Sequence, residues 1–203
     1  MQHIAHLNKD KKLKKIIELQ EPYILAKRKN VYLHLCTSIM SQQLSTKVAD
    51  VFHRRFLNLY QRKTPTVQQI ADTPFETLRG IGLSNAKANY VLNVCRFFME
   101  EKITDAVLYK MSNEELVKYL SQIKGVGQWT VEMILMFTLG REDVFPVDDL
   151  GIQQAICKLY GVDGTNKKMM KEKMLTISKK WNPYQTYACR YLWGWKDNTP
   201  SEK

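Results

Sequence analysis

Apolar residues recur at three- and four-residue spacing along most of the chain, in stretches that are separated by turn residues. This spacing places them on one face of a helix, and the strict alternation of a half-buried strand is scarce. The pattern therefore predicts an all-α fold that forms a single domain over residues 1–203. The predicted helices cover residues 10–20, 31–41, 46–61, 74–80, 85–101, 113–123, 128–139, 150–160, 167–180 and 184–195.

Capping residues support several of these helix ends. Thr73 with Glu76, and Ser112 with Glu115, have the spacing of a capping box. Gly161 follows the 150–160 helix, where a glycine suits the left-handed conformation of a helix C-terminus.

Two segments repeat one plan. LRGIGLSNAKANYVL (residues 78–92) and IKGVGQWTVEMIL (residues 123–135) each place Gly-x-Gly, with an apolar middle residue, between two predicted helices. We expect two helix–hairpin–helix units, the second over about residues 113–139.

The charge of the chain is strongly positive. Its 203 residues include 31 Lys and Arg against 20 Asp and Glu, a formal net charge of +11. Such an excess favours a polyanionic partner, nucleic acid first and an anionic membrane surface second. A basic protein without such a partner is the alternative that charge alone leaves open.

Other classes of protein are disfavoured. No segment has the ~20 apolar residues of a membrane span, and the N-terminus lacks the apolar core of a signal peptide. We therefore expect no membrane partner and a cytoplasmic location, with action on the chromosome, or a nuclear location if the source is a eukaryote. The cysteines have neither metal-ligand nor redox spacing, so we expect free thiols and neither metal nor cofactor. These cysteines are Cys36, Cys95, Cys157 and Cys189.

The second hairpin is a candidate phosphate site. Gly125 and Gly127 can reach positive φ and let another molecule approach the backbone. Amides at the start of the following helix, together with its dipole, favour an anion there. Val126 would pin the turn to the core, and Lys124 adds a charge beside it. The alternative is an ordinary tight turn between helices.

An acidic pair follows in VFPVDDLGIQQAI, where Asp148 and Asp149 stand at a helix start. One reading is helix capping by one or both carboxylates. The other is a carboxylate that stabilises a cationic sugar while a glycosidic bond breaks.

The run IKGVGQWTVEMILMFTLGREDVFPVDDLGI resembles the helix–hairpin–helix DNA glycosylases, and within them the alkylpurine group of the 3-methyladenine DNA glycosylase II type. The resemblance extends over about residues 31–195. It implies a two-lobed helical fold, an active cleft between the lobes and a flipped base in a pocket. The catalytic aspartate of the family falls on Asp149, at the start of a helix of about residues 149–160, and Asp148 falls on its secondary acidic neighbour. Thr130 falls among the DNA-contacting residues of the hairpin.

This chain differs from the family pattern at several positions, and the differences limit which of the family's reactions the resemblance implies. Relatives that also cut the backbone carry a lysine two residues after the second hairpin glycine, where this chain has Trp129. Relatives often have proline where this chain has Lys124, and the cysteine cluster of some relatives is absent. Because the chain starts close to the helical core, we also expect it to lack the N-terminal β domain of longer relatives. A monofunctional glycosylase is therefore expected.

Aromatic residues are candidates for the base pocket. On the 184–195 helix, Tyr184, Tyr187, Tyr191 and Trp195 share one face that we read as core, and Trp193 falls on the opposite face. Family pocket tryptophans align with Trp129 and Trp193, whose indoles could stack on a cationic alkylated purine. Met133, one turn after Trp129, is either pocket wall or core.

The SQQLS loop (residues 41–45) is a candidate wedge into the base stack. Its one large apolar residue is Leu44, which could instead form a hydrophobic staple with Ala49. The family alignment places the wedge nearer Gln43 and turns Gln42 toward the pocket. Both Gln43 and Leu44 remain candidates.

Together these features predict a DNA base-excision repair glycosylase for alkylated purines such as 3-methyladenine, acting as a monomer on damaged double-stranded DNA. One alternative is the same fold acting on a deaminated or oxidised base. Another is a helix–hairpin–helix DNA-binding protein without chemistry.

Overall fold

The computed structural model describes residues 1–198, whose regular elements are all helices, and no strand occurs among them. None of the helices in this range is long and apolar enough to cross a membrane. They are α1 Gln2–Leu7, α2 Lys11–Ile17, α3 Val31–Ser41, α4 Thr46–Asn58, α5 Val67–Ala71, α6 Phe75–Gly80, α7 Asn85–Glu100, α8 Asp105–Lys110, α9 Asn113–Leu120, α10 Gln128–Phe137, α11 Leu150–Tyr160, α12 Lys167–Ser178 and α13 Gln185–Asn198, with a short 3-10 helix at Lys179–Trp181.

The all-α prediction is confirmed, and each predicted helix is present within a few residues. Three short helices, α1, α5 and α8, were not predicted. Each has only five or six residues, too few for an apolar period to show. Among these three helices only α5 begins with a side-chain cap, which is a capping box of Thr66 and Gln69.

Two of the three capping predictions are confirmed. Ser112 and Glu115 form a capping box at α9, and Gly161 ends α11 in the left-handed conformation, with φ of 69°. The capping box predicted at Thr73 is wrong, because Pro74 is the N-cap of α6. The Thr73 hydroxyl instead donates to the Gln69 carbonyl over 2.7 Å and is hydrogen-bonded to the Tyr60 hydroxyl over 2.8 Å.

Contacts divide the chain into two compact units. The terminal unit comprises Met1–Lys27 together with the chain from Leu135 onward, and the central unit comprises Arg28–Ile134. The boundary between Ile134 and Leu135 falls within α10.

The terminal unit packs α13 against α2 and α11. Tyr191 is fully buried on the face of α13 that was predicted to be core, but Thr186 and Cys189 on another face are fully buried too. Both faces of this helix are therefore covered, which a one-sided helical pattern does not predict.

A hydrogen-bonded carboxylate holds part of the terminal unit together. Oδ1 of Asp10 accepts the amides of Lys12 and Leu13, over 3.0 and 3.2 Å. Oδ2 accepts the Tyr160 hydroxyl at 2.8 Å and the Trp181 indole N–H at 3.2 Å. Burial by itself raises the pKa of the Asp10 carboxyl, but these hydrogen bonds outweigh it and lower that pKa below its ordinary value.

The central unit packs α7 against α3, α5 and α6. Its core includes the fully buried Leu35, Ile39 and Val91. Cys36 and Cys95 meet in the same core with their sulfurs 3.9 Å apart, and all four cysteines are free thiols. The free thiols agree with the prediction from cysteine spacing.

Candidate functional site

The hairpin between α9 and α10 turns at Gly125, whose φ of +105° lies where side chains are strained. A Cβ at this position would stand 2.1 Å from Cγ of Tyr90, a residue of α7 that packs on the turn. Val126 is buried, and its amide donates to the Ile123 carbonyl over 2.9 Å. Gly125 is thus required by both the backbone and the packing, and Val126 anchors the turn as predicted.

Gly127 differs from Gly125 in both respects. Its φ is not positive, although a glycine could adopt such a φ, and apart from its two neighbours in sequence no atom of the described residues lies within 4 Å of where its Cβ would stand. The protein itself therefore does not require a glycine here. The open space lies at the start of α10, where helix geometry gives the first amides no acceptor within the helix.

Three polar or aromatic residues surround this helix start. Lys124 is exposed, and its carbonyl accepts the Asn93 amide group over 3.2 Å. Trp129 is 37% exposed, on the first turn of α10. Thr130 is buried, and its hydroxyl accepts the Gln42 side-chain amide over 3.2 Å. Because a buried hydroxyl does not reach a partner outside the chain, any contact between Thr130 and DNA must involve its backbone amide.

The loop of residues 41–45 is held by α7. The Lys87 ammonium donates to the carbonyls of Met40 and Gln42, over 2.9 and 2.7 Å. Burial lowers the pKa of Lys87. Gln43 is exposed at the loop tip with φ of +60°, whereas Leu44 is only half-exposed. The Gln42 side chain faces Thr130, so this loop and the start of α10 are joined within the central unit.

Asp149 is the N-cap of α11. Its Oδ1 accepts the Ile152 amide over 2.8 Å and the Trp193 indole N–H over 2.9 Å. The capping reading is therefore right, and it is compatible with a further role, because the carboxylate is half-exposed. Asp148 beside it is exposed and forms an ion pair with Lys171 of α12.

Gly151 makes room for this pair of side chains. A Cβ there would stand 3.0 Å from the Trp193 Nε1 and 3.1 Å from the Asp149 Oδ1. The backbone approaches the Asp149 carboxylate and the Trp193 indole so closely that a larger residue would push them apart. Sequence reasoning missed Gly151, since a glycine inside a helix gives no signal of what it packs against.

Trp193 is part of an aromatic stack in the terminal unit. Its ring lies 5.7 Å from that of Phe137, at a tilt of 34°. The Arg190 guanidinium lies over Phe137 at 5.2 Å and over Tyr23 at 4.6 Å. The ring of Trp193 is half-buried, so part of it remains accessible.

The predicted site residues thus fall into two sets. The hairpin, the 41–45 loop, Trp129 and the half-buried Met133 belong to the central unit. Asp148, Asp149 and Trp193 belong to the terminal unit. Sequence reasoning missed Lys87 and Tyr90, which hold the loop and the hairpin, because their partners are far away along the chain.

Comparisons with known proteins agree with this architecture. The model of the HhH-GPD superfamily of base excision DNA repair proteins matches residues 36–182. A DNA-3-methyladenine glycosylase of Schizosaccharomyces pombe is 34% identical over 94% of this chain and 84% of its own. A Bacillus subtilis protein, provisionally named a DNA-3-methyladenine glycosylase, is 35% identical over 81% of this chain, which spans 58% of that protein's length.

A solved structure is similar over nearly the whole chain. It is a 3-methyladenine DNA glycosylase of Schizosaccharomyces pombe in complex with abasic DNA, with a TM-score of 0.85 and 32% identity over 95% of both chains. The family model covers well over half of the sequence, and the relatives share its helical architecture. The chain therefore belongs to the HhH-GPD superfamily of base excision DNA repair proteins.

Proposed function

We propose that this protein is a monofunctional DNA glycosylase that hydrolyses the N-glycosidic bond of alkylated purines, such as 3-methyladenine, in double-stranded DNA. The observation that carries the proposal is the Asp149 carboxylate, which two N–H donors hold in one orientation at a helix N-terminus. Relatives that are named for 3-methyladenine release support the choice of base.

The chemistry requires little acid catalysis. When the bond between C1′ and the base nitrogen breaks, its electron pair goes to the base. An alkylated purine that carries a positive charge therefore leaves as a neutral molecule. The sugar becomes an oxocarbenium ion, and the negative charge of Asp149 stabilises it. Water then adds to C1′ and gives its proton to the carboxylate or to solvent, which leaves an abasic site.

Binding of the DNA and of the base falls to different residues. The amides of Gly125 and Gly127 and those at the start of α10, with Lys124, hold a backbone phosphate. Gln43 enters the base stack, because it is exposed at the loop tip while Leu44 is half-covered. In the terminal unit, Trp193 beside Asp149 stacks on the flipped base.

The test is a direct assay for released bases. DNA treated with a methylating agent is incubated with the protein, and the free bases are separated and identified. Release of 3-methyladenine by the protein is the expected result. Release of only a deaminated or oxidised base from DNA that carries those lesions would favour another lesion on the same fold. No release from any substrate, with intact DNA binding, would favour a binding protein without chemistry.

A further inference from the structure

A second basic feature lies in the central unit, outside the residues proposed to hold the DNA and the base. It is a depression of about 590 Å³ at the C-terminal end of α4, lined by Val51, Arg54, Arg55, Leu57, Asn58 and Arg62. Three of these residues, Arg54, Arg55 and Arg62, carry guanidinium groups. We refer to this depression as the arginine pocket.

The backbone at the end of α4 places the third arginine. The 46–61 helix was predicted to run through this point, but α4 ends at Asn58. Gln61 and Arg62 then adopt positive φ values of 54° and 61°, a conformation that non-glycine residues disfavour. The Arg62 amide donates to the Leu57 carbonyl over 2.9 Å. The chain therefore turns back and brings Arg62 to the last turn of α4, and strained backbone of this kind is common at binding sites.

Hydrogen bonds orient two of the guanidinium groups. Nε of Arg62 donates to the Asn58 side-chain oxygen over 3.2 Å. Nη1 of Arg55 donates to the Ile81 carbonyl over 3.2 Å, in the first Gly-x-Gly hairpin. Each guanidinium keeps further N–H donors, because the group carries five.

The charge of the pocket is uncompensated within the described chain. None of the three arginines lies within ion-pair distance of a carboxylate among residues 1–198, whereas Lys14, Lys171 and Lys196 do. Three like charges around one depression repel each other, and an anion between them would relieve that repulsion. The planar fork of arginine fits the oxygens of a phosphate in pairs.

We infer that the arginine pocket binds backbone phosphates of the DNA, as a second contact in addition to the Gly125–Gly127 hairpin. The inference rests on the proposed function for the identity of the polyanion. The hydrogen bond from Arg55 to the Ile81 carbonyl places the pocket next to the turn at Gly82, and Gly82 has the same φ of +105° as Gly125. The arginine pocket therefore lies beside the first Gly-x-Gly hairpin. This hairpin repeats the pattern of the one proposed to bind phosphate, and both belong to the central unit.

The experiment measures how DNA affinity depends on salt. Binding of an undamaged duplex is followed at several salt concentrations for the parent and for the Arg54→Ala/Arg62→Ala variant. A slope of about −0.9 in log K against log salt is expected for each phosphate contact. We expect the variant to lose about one to two units of slope and to bind about tenfold more weakly near 0.1 M salt.

Matched variants separate site binding from charge and from folding. Arg96→Ala/Lys110→Ala removes the same charge from exposed positions of the central unit, and we expect it to keep the parent slope. Arg54→Lys/Arg62→Lys keeps the charge without the fork, and we expect an intermediate slope. Thermal unfolding checks that each variant is folded.

Equal slopes for the Arg54/Arg62 and Arg96/Lys110 variants would overturn the inference, and so would a parent slope for Arg54→Ala/Arg62→Ala. The same holds if inorganic phosphate binds in the pocket, with DNA affinity unaffected by the substitutions. Failure of the proposed function is a separate result. The parent would then release no base from methylated DNA, whatever its salt slope.

Discussion

The indole Nε1 of Trp193 donates a hydrogen bond to Oδ1 of Asp149 over 2.9 Å. The same oxygen accepts the Ile152 amide, so the carboxylate is held from the indole side and from the backbone side. In addition to stacking on a base, Trp193 therefore orients the proposed catalytic carboxylate. The two roles can be separated by substitution.

Asp149→Asn is expected to abolish base release and to leave binding of lesion DNA intact. Asparagine still offers an oxygen to the Ile152 amide and the Trp193 indole, so the local shape is kept while the charge is lost. We expect single-turnover excision to fall by at least about a hundredfold, which is about 2.7 kcal/mol in the barrier. Excision within about threefold of the parent would rule out Asp149 as the charge that stabilises the sugar cation.

Trp193→Phe is expected to lower the excision rate and to leave lesion binding within about threefold of the parent. The phenyl ring still stacks on a base but cannot donate to Asp149, and a hydrogen bond to a charged group contributes about 1.5 kcal/mol. The expected fall in single-turnover rate is therefore about tenfold.

Trp193→Ala is the companion variant, since it loses both the ring and the hydrogen bond. We expect it to weaken lesion binding as well, with undamaged DNA bound as before, because stacking contributes about 1–3 kcal/mol per base. If Trp193→Phe excises at the parent rate, the indole N–H is not needed and stacking is the whole role.

Gly125→Ala is expected to change the stability of the protein, whereas Gly127→Ala is expected to change its binding of DNA. At Gly125 a methyl group meets the Tyr90 ring in a left-handed backbone, so we expect a loss of about 2–3 kcal/mol in stability. At Gly127 the methyl group enters open space, and we expect an unchanged melting temperature.

Measurement of DNA binding by the Gly127→Ala variant tests whether the hairpin binds phosphate. A methyl group in the path of a phosphate weakens binding to damaged and undamaged duplexes by the same factor, because phosphates carry no sequence information. Parent affinity for both duplexes would show that the hairpin is only a turn between helices.

No covalent protein–DNA adduct is expected when borohydride is added during turnover. Trp129 occupies the position of the lysine that forms a Schiff base in relatives that also cut the backbone, so no amine stands there. Asp149→Asn, which makes no abasic product, is the background control. An adduct above that background would contradict a monofunctional mechanism.

Asp10→Asn is expected to destabilise the fold by about 2 kcal/mol at pH 7, with allowance for solvent screening of a half-exposed group. An amide nitrogen in the place of Oδ2 can accept neither the Tyr160 hydroxyl nor the Trp181 indole N–H. Because folding lowers the pKa of Asp10, its contribution is fully present above the ordinary carboxyl pKa near 3.8 and is lost as pH falls through the folded value.

Chemical denaturation of parent and variant between pH 7 and pH 3 measures this contribution. The difference in unfolding free energy should shrink toward the acid end. Asp50→Asn is the control at an exposed aspartate of α4, with no measurable change expected. A constant difference across the pH range would mean that the Asp10 charge does not contribute.

The sequence by itself determined what depends on neighbours within a turn or two of helix. The long helices, the capping box at Ser112, the left-handed Gly161 and the hairpin at Gly125 are all local, and each follows from apolar spacing or from the preferences of single residues. The position of Asp149 after the hairpin left helix capping open as its role, and the catalytic role was predicted from the resemblance to the glycosylase family. The capping-box prediction was wrong at Thr73, where the Tyr60 side chain, from the turn after α4, forms a hydrogen bond with the hydroxyl.

Only the tertiary structure decided which distant side chains meet. Trp193 and Asp149 are 44 residues apart, and Lys87 lies 45 residues from the Gln42 carbonyl that it holds. Tyr90 excludes a side chain from Gly125, while Gly127 faces open space, although the two glycines look alike in the sequence. These relationships depend on how helices pack. Spacing along one helix specifies which face is apolar, but not which residues of another helix will cover it.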